Sequence, residues 1–578
     1  MRILESYLIA FALMNACGRR TTDVFTVIFF ITSYALLKKF PAIQLKKDSV
    51  IAAICAGIFT LCYVLGNKEA LSGGLTNKLF LLFYFSCTIA GLFFLYYRCV
   101  VWVLINSTKV KLFEEKKKFP FKMLLCFAGV LFLCMIPLWL TNYPAVMTPD
   151  SLSQYRQATG INGYSDHHPW LHTMIFKLFY EIGFMISGNK YFAISCYTLV
   201  QMLLVAFSVG YVWSTLYELG LKRKYCIAGV VLFAVYPYNL IYAVTIWKDI
   251  LFSMAVLVLV ITLFRMHLWL AEENDIFLRD KILYIVCGFL MCMLRHNGFY
   301  AFLAACPFLL WFMRKKWKQT LLFTVLIQAG SFIIKGPVMD AAEVEPGKLA
   351  YKLCVPLQQV GRVIADGCEL TEEEIVTVEK INIISYVEEN YQKHGADPMF
   401  AWVNYGNSKY LEDNIGEYLE LWISLGMKYP DKYIQAFIDL TKGYWYPMDP
   451  GQVVNLGITE NKNGLESQPI LNGPIVIKVH EILTKLYTIF PIYGIMYSMG
   501  AMFWLLILLL AIAGRNNDYS VWVAGLPLVF LTLTLFIAVP LVADVRYGYP
   551  LLLAIPCMVA LTFRDKQEDT NEKFHERI

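Results

Sequence analysis

Residues 121–172 read FKMLLCFAGVLFLCMIPLWLT (121–141) and then NYPAVMTPDSLSQYRQATGINGYSDHHPWLH (142–172). The first run is apolar and long enough as a helix to cross a hydrocarbon core of about 30 Å. The second gathers acids and histidines into a polar loop directly after it. An apolar run followed by a polar loop makes this a membrane chain, with its chemistry placed between two spans.

Outward from that stretch the pattern repeats. The 578 residues are 58% hydrophobic and only 16% charged, with mean hydropathy +0.54, against about 25% charged in soluble domains. The composition predicts an all-α polytopic membrane protein. Candidate spans fall at 5–17, 22–37, 49–66, 79–106, 121–141, 192–217, 225–244, 250–271, 281–294, 298–313, 320–335, 485–513, 521–540 and 547–563. That gives about 14 crossings. A further run, 174–188, carries Lys177 and Glu181 and reads as an interfacial helix with Met174, Ile175, Leu178, Phe179, Phe184 and Met185 on one apolar face. Residues 1–20 faintly resemble a signal sequence, but Glu5 and the spans that follow favour a retained helix.

Lys and Arg collect at Lys38/Lys39, Lys46/Lys47, Lys109–Lys122, Lys222–Lys224, Arg314–Lys316 and Arg515. If these loops are cytoplasmic, alternation sends 142–172, Trp247–Asp249, Arg295–Asn297, 336–484 and Asp544–Arg546 to the other face. Arg19 and Arg20 are the exception. The expected organisation is extra N-terminal spans (1–120), a core with the polar loop (121–335), an external helical domain (336–484), closing spans (485–563) and a charged, disordered cytoplasmic tail (564–578).

The 336–484 region holds roughly twice as many acids as bases, which argues against nucleic acid as a partner. Helical periodicity runs through 370–394 and 414–446, and Thr371 with Glu374 suits a capping box. Asp449–Asn472 reads as an ordered loop or lid. Cys354 and Cys368 leave a disulfide open.

Two clusters carry chemistry. Asp150, after Thr148-Pro149, is either a helix cap or an acid at the water–lipid boundary, where partial desolvation would raise its basicity. Asp166-His167-His168-Pro169-Trp170-Leu171-His172 places one acid and three histidines together, suited to hydrogen bonding a sugar or phosphate. A divalent metal ion stays open as the alternative, although no standard zinc spacing is present.

An outer loop with an acid, followed by DHHPWLHT before the next span, resembles the GT-C superfamily of membrane glycosyltransferases. Protein O-mannosyltransferases and aminoarabinose transferases have an acid in the first outer loop and then a His-Pro-Pro or Lys-Pro-Pro segment. Asp150 matches the first and Asp166-His167-His168-Pro169 the second, with Trp170 in place of the second proline. TPDSLSQY, DHHPWLHT, TIWKDILFS, LRHNGFYA and VPLQQVGRV followed by LTEEE are similar to an uncharacterised bacterial branch of that superfamily, over residues 121–563.

The resemblance implies a GT-C-like transmembrane bundle with a small external helical domain, in a bacterial plasma membrane, its site facing outside. It implies a polyprenyl-phosphate sugar as donor and a cell-envelope glycan, lipid or polymer as acceptor, with Asp150 as base. A lipid-phosphate leaving group demands cations at the outer boundary, and Lys248, Arg295 and Arg546 stand there. The competing reading of each is snorkelling to headgroups. Asp249 and Asp544 pair with the cations in sequence, His296 and Asn297 add donors, Tyr547 completes an Arg-Tyr pair like that before the last span of GT-C enzymes, and Gly298 allows a close approach. Tyr444-Trp445-Tyr446 is either an acceptor platform or part of an aromatic belt. A polysaccharide polymerase or ligase shares this chemistry, and a lipid or solute transporter is the rival from another class, expected to show broken helices or related halves.

Overall fold

Apolar runs, capped by short polar residues, set the helices. Asn77 accepts from the backbone N–H of Leu79 and Phe80, Asn189 from Tyr191 and Phe192, and Asp544 from Arg546, each satisfying donors that a first helical turn leaves unpaired. The structure, a computed structural model, describes residues 2–19, 23–40, 45–72, 77–406, 408–449, 451, 456–459, 461–489, 494–539 and 541–564. Among these there are helices and isolated bridges but no strand. The expected tail lies outside the described residues.

Eight helices are long and apolar enough to cross a membrane, or nine if one bent pair counts as a single span. The larger count expected from sequence includes shorter helices that pack beside them, such as Leu278–Leu294 and His296–Phe312. Lys248–Ala271 is the central helix, its apolar window 94% buried. It packs against Lys190–Glu218, Leu278–Leu294, Tyr519–Ile537 and Val545–Thr562.

Three expectations about helices need correction. The run 225–244 is not one straight span: Arg223–Val235 and Pro237–Ala243 meet at 67°, because Pro237 lacks an amide hydrogen and starts a new helix. The run 485–513 divides into Pro474–Ile489 and Met499–Arg515. The run 370–394 splits into Glu372–Ile381 and Ile384–Asn390. The capping box is present, with reciprocal bonds of 3.2 and 2.8 Å between Thr371 and Glu374. Cys354 and Cys368 are free thiols, so that bridge does not form.

The first helices form their own layer, Arg2–Ala16 and Lys46–Gly66 packing on Lys78–Ser107. Glu5 is buried there by a two-pronged pair with Arg98, at 2.7 and 3.0 Å. Trp170–Ser187 turns His172, Phe176 and Tyr180 inward and leaves Leu178, Phe184 and Met185 exposed, so the apolar stripe read from sequence is its outer face.

Charges divide between two ends of the bundle. At one end Arg515 pairs with Asp48 at 2.8 Å and donates to the carbonyl of Leu104, Lys47 reaches the carbonyl of Arg515, Lys222 reaches the carbonyl of Lys111, Lys116 pairs with Glu272, and Lys315 reaches the carbonyl of Leu270. The basic loops therefore share one face. The residues singled out as chemical lie at the other.

Candidate functional site

The site is assembled by a short helix docked onto an extended connection. Pro149–Ala158 begins with Thr148 as its N-cap and Pro149 at its first position. Asp150 is thus not the cap, and the local alternative for it falls. Ser151 Oγ donates to the carbonyl of Ile246 at 2.6 Å, and Trp247 Nε1 donates to Thr148 Oγ1 at 2.7 Å. Backbone bonds from Val146 N–H to Val244 and from Ile246 N–H to Val146 complete the dock. These contacts hold Asp150 over the start of Lys248–Ala271.

Asp150 Oδ2 accepts from Lys248 Nζ at 3.1 Å and from Arg546 Nη1 at 2.9 Å. Burial opposes its ionisation, yet the charges of Lys248 and Arg546 override it and hold the carboxyl well below the usual range. The expected rise in basicity is therefore reversed in this state. His168 is buried, and burial together with Lys248 pushes its pKa well down. Its neutral imidazole can accept from Lys248 Nζ, 3.3 Å from Nδ1.

Arg546 is held on every side. Its Nε pairs with Asp544 at 2.7 Å, Nη2 donates to Tyr547 Oη at 2.8 Å, and its guanidinium covers the rings of Trp247 and Tyr547 at 5.1 and 4.7 Å. Arg295 is committed too. Its Nη1 donates to Asp249 at 2.6 Å, and its guanidinium lies 4.8 Å from the Tyr547 ring. Asp249 is 1% exposed. All three cations face carboxylates.

Asp166, His167 and His296 form a flank. His296 Nε2 lies 2.9 Å from the carbonyl oxygen of Asp166, and the His167 ring packs on Tyr351 and His168 at 4.2 and 4.4 Å. Burial raises the Asp166 carboxyl and lowers His167. Lys335 and Lys352 extend positive charge to Asp166.

Other expected residues lie elsewhere. Asn297 donates to Thr534 at 3.1 Å, on a helix contact. His172 is fully buried between Gln154 and Tyr197, at 3.0 and 2.6 Å, as a core histidine. Tyr444 and Trp445 are 1% and 6% exposed and bond inward to Leu541 and Thr441. They are neither an acceptor platform nor an interfacial belt. Gly298 does meet its expectation of close approach, since a Cβ there would stand 2.1 Å from the carbonyl oxygen of Met291.

Among the described residues no group of three His, Cys, Asp or Glu side chains could hold a metal ion. Asp150 and His168 have the Lys248 ammonium bonded to both, and His296 Nε2 is occupied by the carbonyl of Asp166. These donors do not fit a divalent ion.

Sequence reasoning missed Asp397. Gly395 bridges to Leu541 and Val542 N–H bonds the carbonyl of His394, which brings the solvent-exposed Asp397 within electrostatic reach of Asp150, Asp544 and Arg546, where partial desolvation and the two neighbouring carboxylates raise its carboxyl. No local motif marks it. A cavity of about 430 Å³ lies among Val212, Leu232, Phe233, Leu552, Leu553 and Ile555, with Tyr236 and Asn239 at its polar part. Asn239 accepts from Tyr549 at 2.9 Å, and rings at 4.8 and 5.3 Å continue through Tyr242 to Trp247 beneath Arg546.

None of the curated proteins and none of the solved structures matches the chain. A family profile described as "Family of unknown function (DUF6020)" matches residues 159–576, a segment that begins after Asp150 and takes in Lys248, Arg295 and Arg546. Over that match, which is most of its length, the chain belongs to the DUF6020 family.

Proposed function

We propose that this protein is a membrane glycosyltransferase that moves a sugar from a polyprenyl-phosphate donor to a cell-envelope acceptor at the outer face of a bacterial plasma membrane. The observation that carries the reading is the meeting of one carboxylate with two cations, Asp150 with Lys248 and Arg546, joined through Trp247, Tyr242 and Tyr549 to an apolar cavity at Asn239. A lipid-linked sugar phosphate needs these parts together: an apolar slot for the chain, cations for the phosphate and a base for the acceptor.

In the proposed step the acceptor oxygen attacks the anomeric carbon and gives its proton to Asp150. The bond from that carbon to the phosphate oxygen breaks, and the phosphate leaves with the electron pair. Lys248 Nζ and Arg546 Nη1 neutralise it, the kind of preorganised contact whose loss costs about 100- to 1,000-fold in rate. Asp166, His167 and His296 border the acceptor side. Arg295, Asp249 and Tyr547 keep Arg546 and Lys248 in place.

The test gives wild type and Asp150→Asn, reconstituted in lipid, a panel of radiolabelled polyprenyl-phosphate sugars with an envelope extract. Label should move to a product with wild type alone, and a product ladder would assign the polymerase or ligase reading instead. The broken helix at Pro237, beside the same cavity, favours one second reading, a lipid translocator. Folded protein that consumes no donor but moves a fluorescent polyprenyl lipid between leaflets would replace the transferase with that reading.

A further inference from the structure

The acid and the cations of this site occupy one another. Arg546 Nε stands 2.7 Å from Asp544 as an ion pair without a hydrogen bond, Nη2 donates to Tyr547, and Nη1 donates to Asp150 Oδ2. The same oxygen holds Lys248 Nζ. Two N–H groups from chain segments far apart therefore converge on a single anionic oxygen, the arrangement that a phosphate oxygen would seek.

We propose that Asp150 is an internal stand-in for the donor's phosphate: a lipid phosphate oxygen takes its place between Lys248 and Arg546, and this exchange turns Asp150 into a proton acceptor. The inference rests on the glycosyltransferase reading for its substrate and adds an order to it. Before exchange, two cations stabilise the carboxylate and make it a poor base. After exchange, those cations are shared with the phosphate, and a new negative charge stands beside Asp150. Both changes favour its protonated form. An acceptor or water that enters an empty site meets an inert carboxylate, so the donor binds first.

The same geometry predicts that the carboxylate competes with its own substrate. Asp150→Asn retains the shape of the side chain and removes the competing charge. Affinity for a prenyl phosphate carrying no sugar, measured on protein in nanodiscs, should tighten by about tenfold or more in Asp150→Asn, while transfer is lost. Inorganic phosphate serves as the parallel probe, and Asp150→Ser is the second variant should the asparagine form fail to fold. Adding Lys248→Met to Asp150→Asn should cancel the gain.

Equal or weaker binding of prenyl phosphate by both variants would overturn the proposal, as would a gain confined to inorganic phosphate. The two readings separate cleanly. Sugar transfer by wild type without tighter binding in Asp150→Asn removes the exchange and leaves the transferase. Tighter prenyl-phosphate binding with no transfer by wild type leaves the exchange and removes the transferase.

Discussion

Arg295 offers the sharpest test of whether a cation at this face binds substrate or holds the fold. Its Nη1 lies 2.6 Å from Asp249 Oδ1, and the two side chains are 9% and 1% exposed. The other oxygen of Asp249 has no hydrogen bond, and Lys248 Nζ stands 3.9 Å from it. Arg295→Met would leave a carboxylate in a nearly dry pocket with Lys248 and Arg546 acting on it only from a distance. Removing one member of a buried pair costs about 3 to 5 kcal/mol, because the remaining charge is uncompensated. Asp249→Asn added to Arg295→Met removes that charge, and the double variant should recover about 3 kcal/mol of the loss, near the upper end of measured coupling energies. Denaturant unfolding of the purified protein in detergent micelles, followed by tryptophan fluorescence, reads all three differences. A single variant as stable as wild type, with prenyl-phosphate binding lost, would refute the reasoning and return Arg295 to the phosphate.

Two further outcomes follow from packing and protonation. Gly298→Ala places a Cβ 2.1 Å from the Met291 carbonyl oxygen and 2.7 Å from Phe252; the helix ends must separate, at about 1 to 3 kcal/mol, and an unchanged melting temperature would show that the approach is not close. His168 has its pKa held well below the ordinary value, so below about pH 6.5 the unfolded chain binds a proton that the folded chain refuses. Its contribution to stability is therefore complete above that pH and declines as pH falls, by up to about 1.4 kcal/mol per unit. His168→Gln should lose that part of the slope in melting curves taken from pH 7 to pH 5; identical slopes would contradict a neutral buried imidazole.

What was legible in the sequence follows the range of the physics behind it. Helical spans are written by short-range hydrophobicity, and the run at 121–141 coincides with the helix Phe121–Thr141. The Thr371 and Glu374 box acts over three residues and was equally readable. Breaks were harder, although Pro237 carried its own signal. Tyr444 and Trp445 misled because composition cannot distinguish an exposed ring from one that bonds inward, here to Leu541 and Thr441. Arg265 was overlooked inside an apolar run, yet it is 1% exposed and paired with Glu218 and Asp280. Those acids lie on neighbouring helices, so only the packing makes the arginine tolerable.

The site shows the same limit in its sharpest form. Each of Asp150, Lys248 and Arg546 could be named from local sequence, because an ionisable group at the end of a span is costly without a reason. Their mutual effect could not be named, since Arg546 is 396 positions from Asp150. Desolvation alone predicts a strengthened base, whereas desolvation beside two cations produces a suppressed one. The sign of that shift separates a base that is always ready from one that waits for its substrate, and it is set by the partners that the fold delivers. In the glycosyl transfer we propose, that means a carboxylate that stays inert in the empty site and becomes a base only when the donor's phosphate takes its cations.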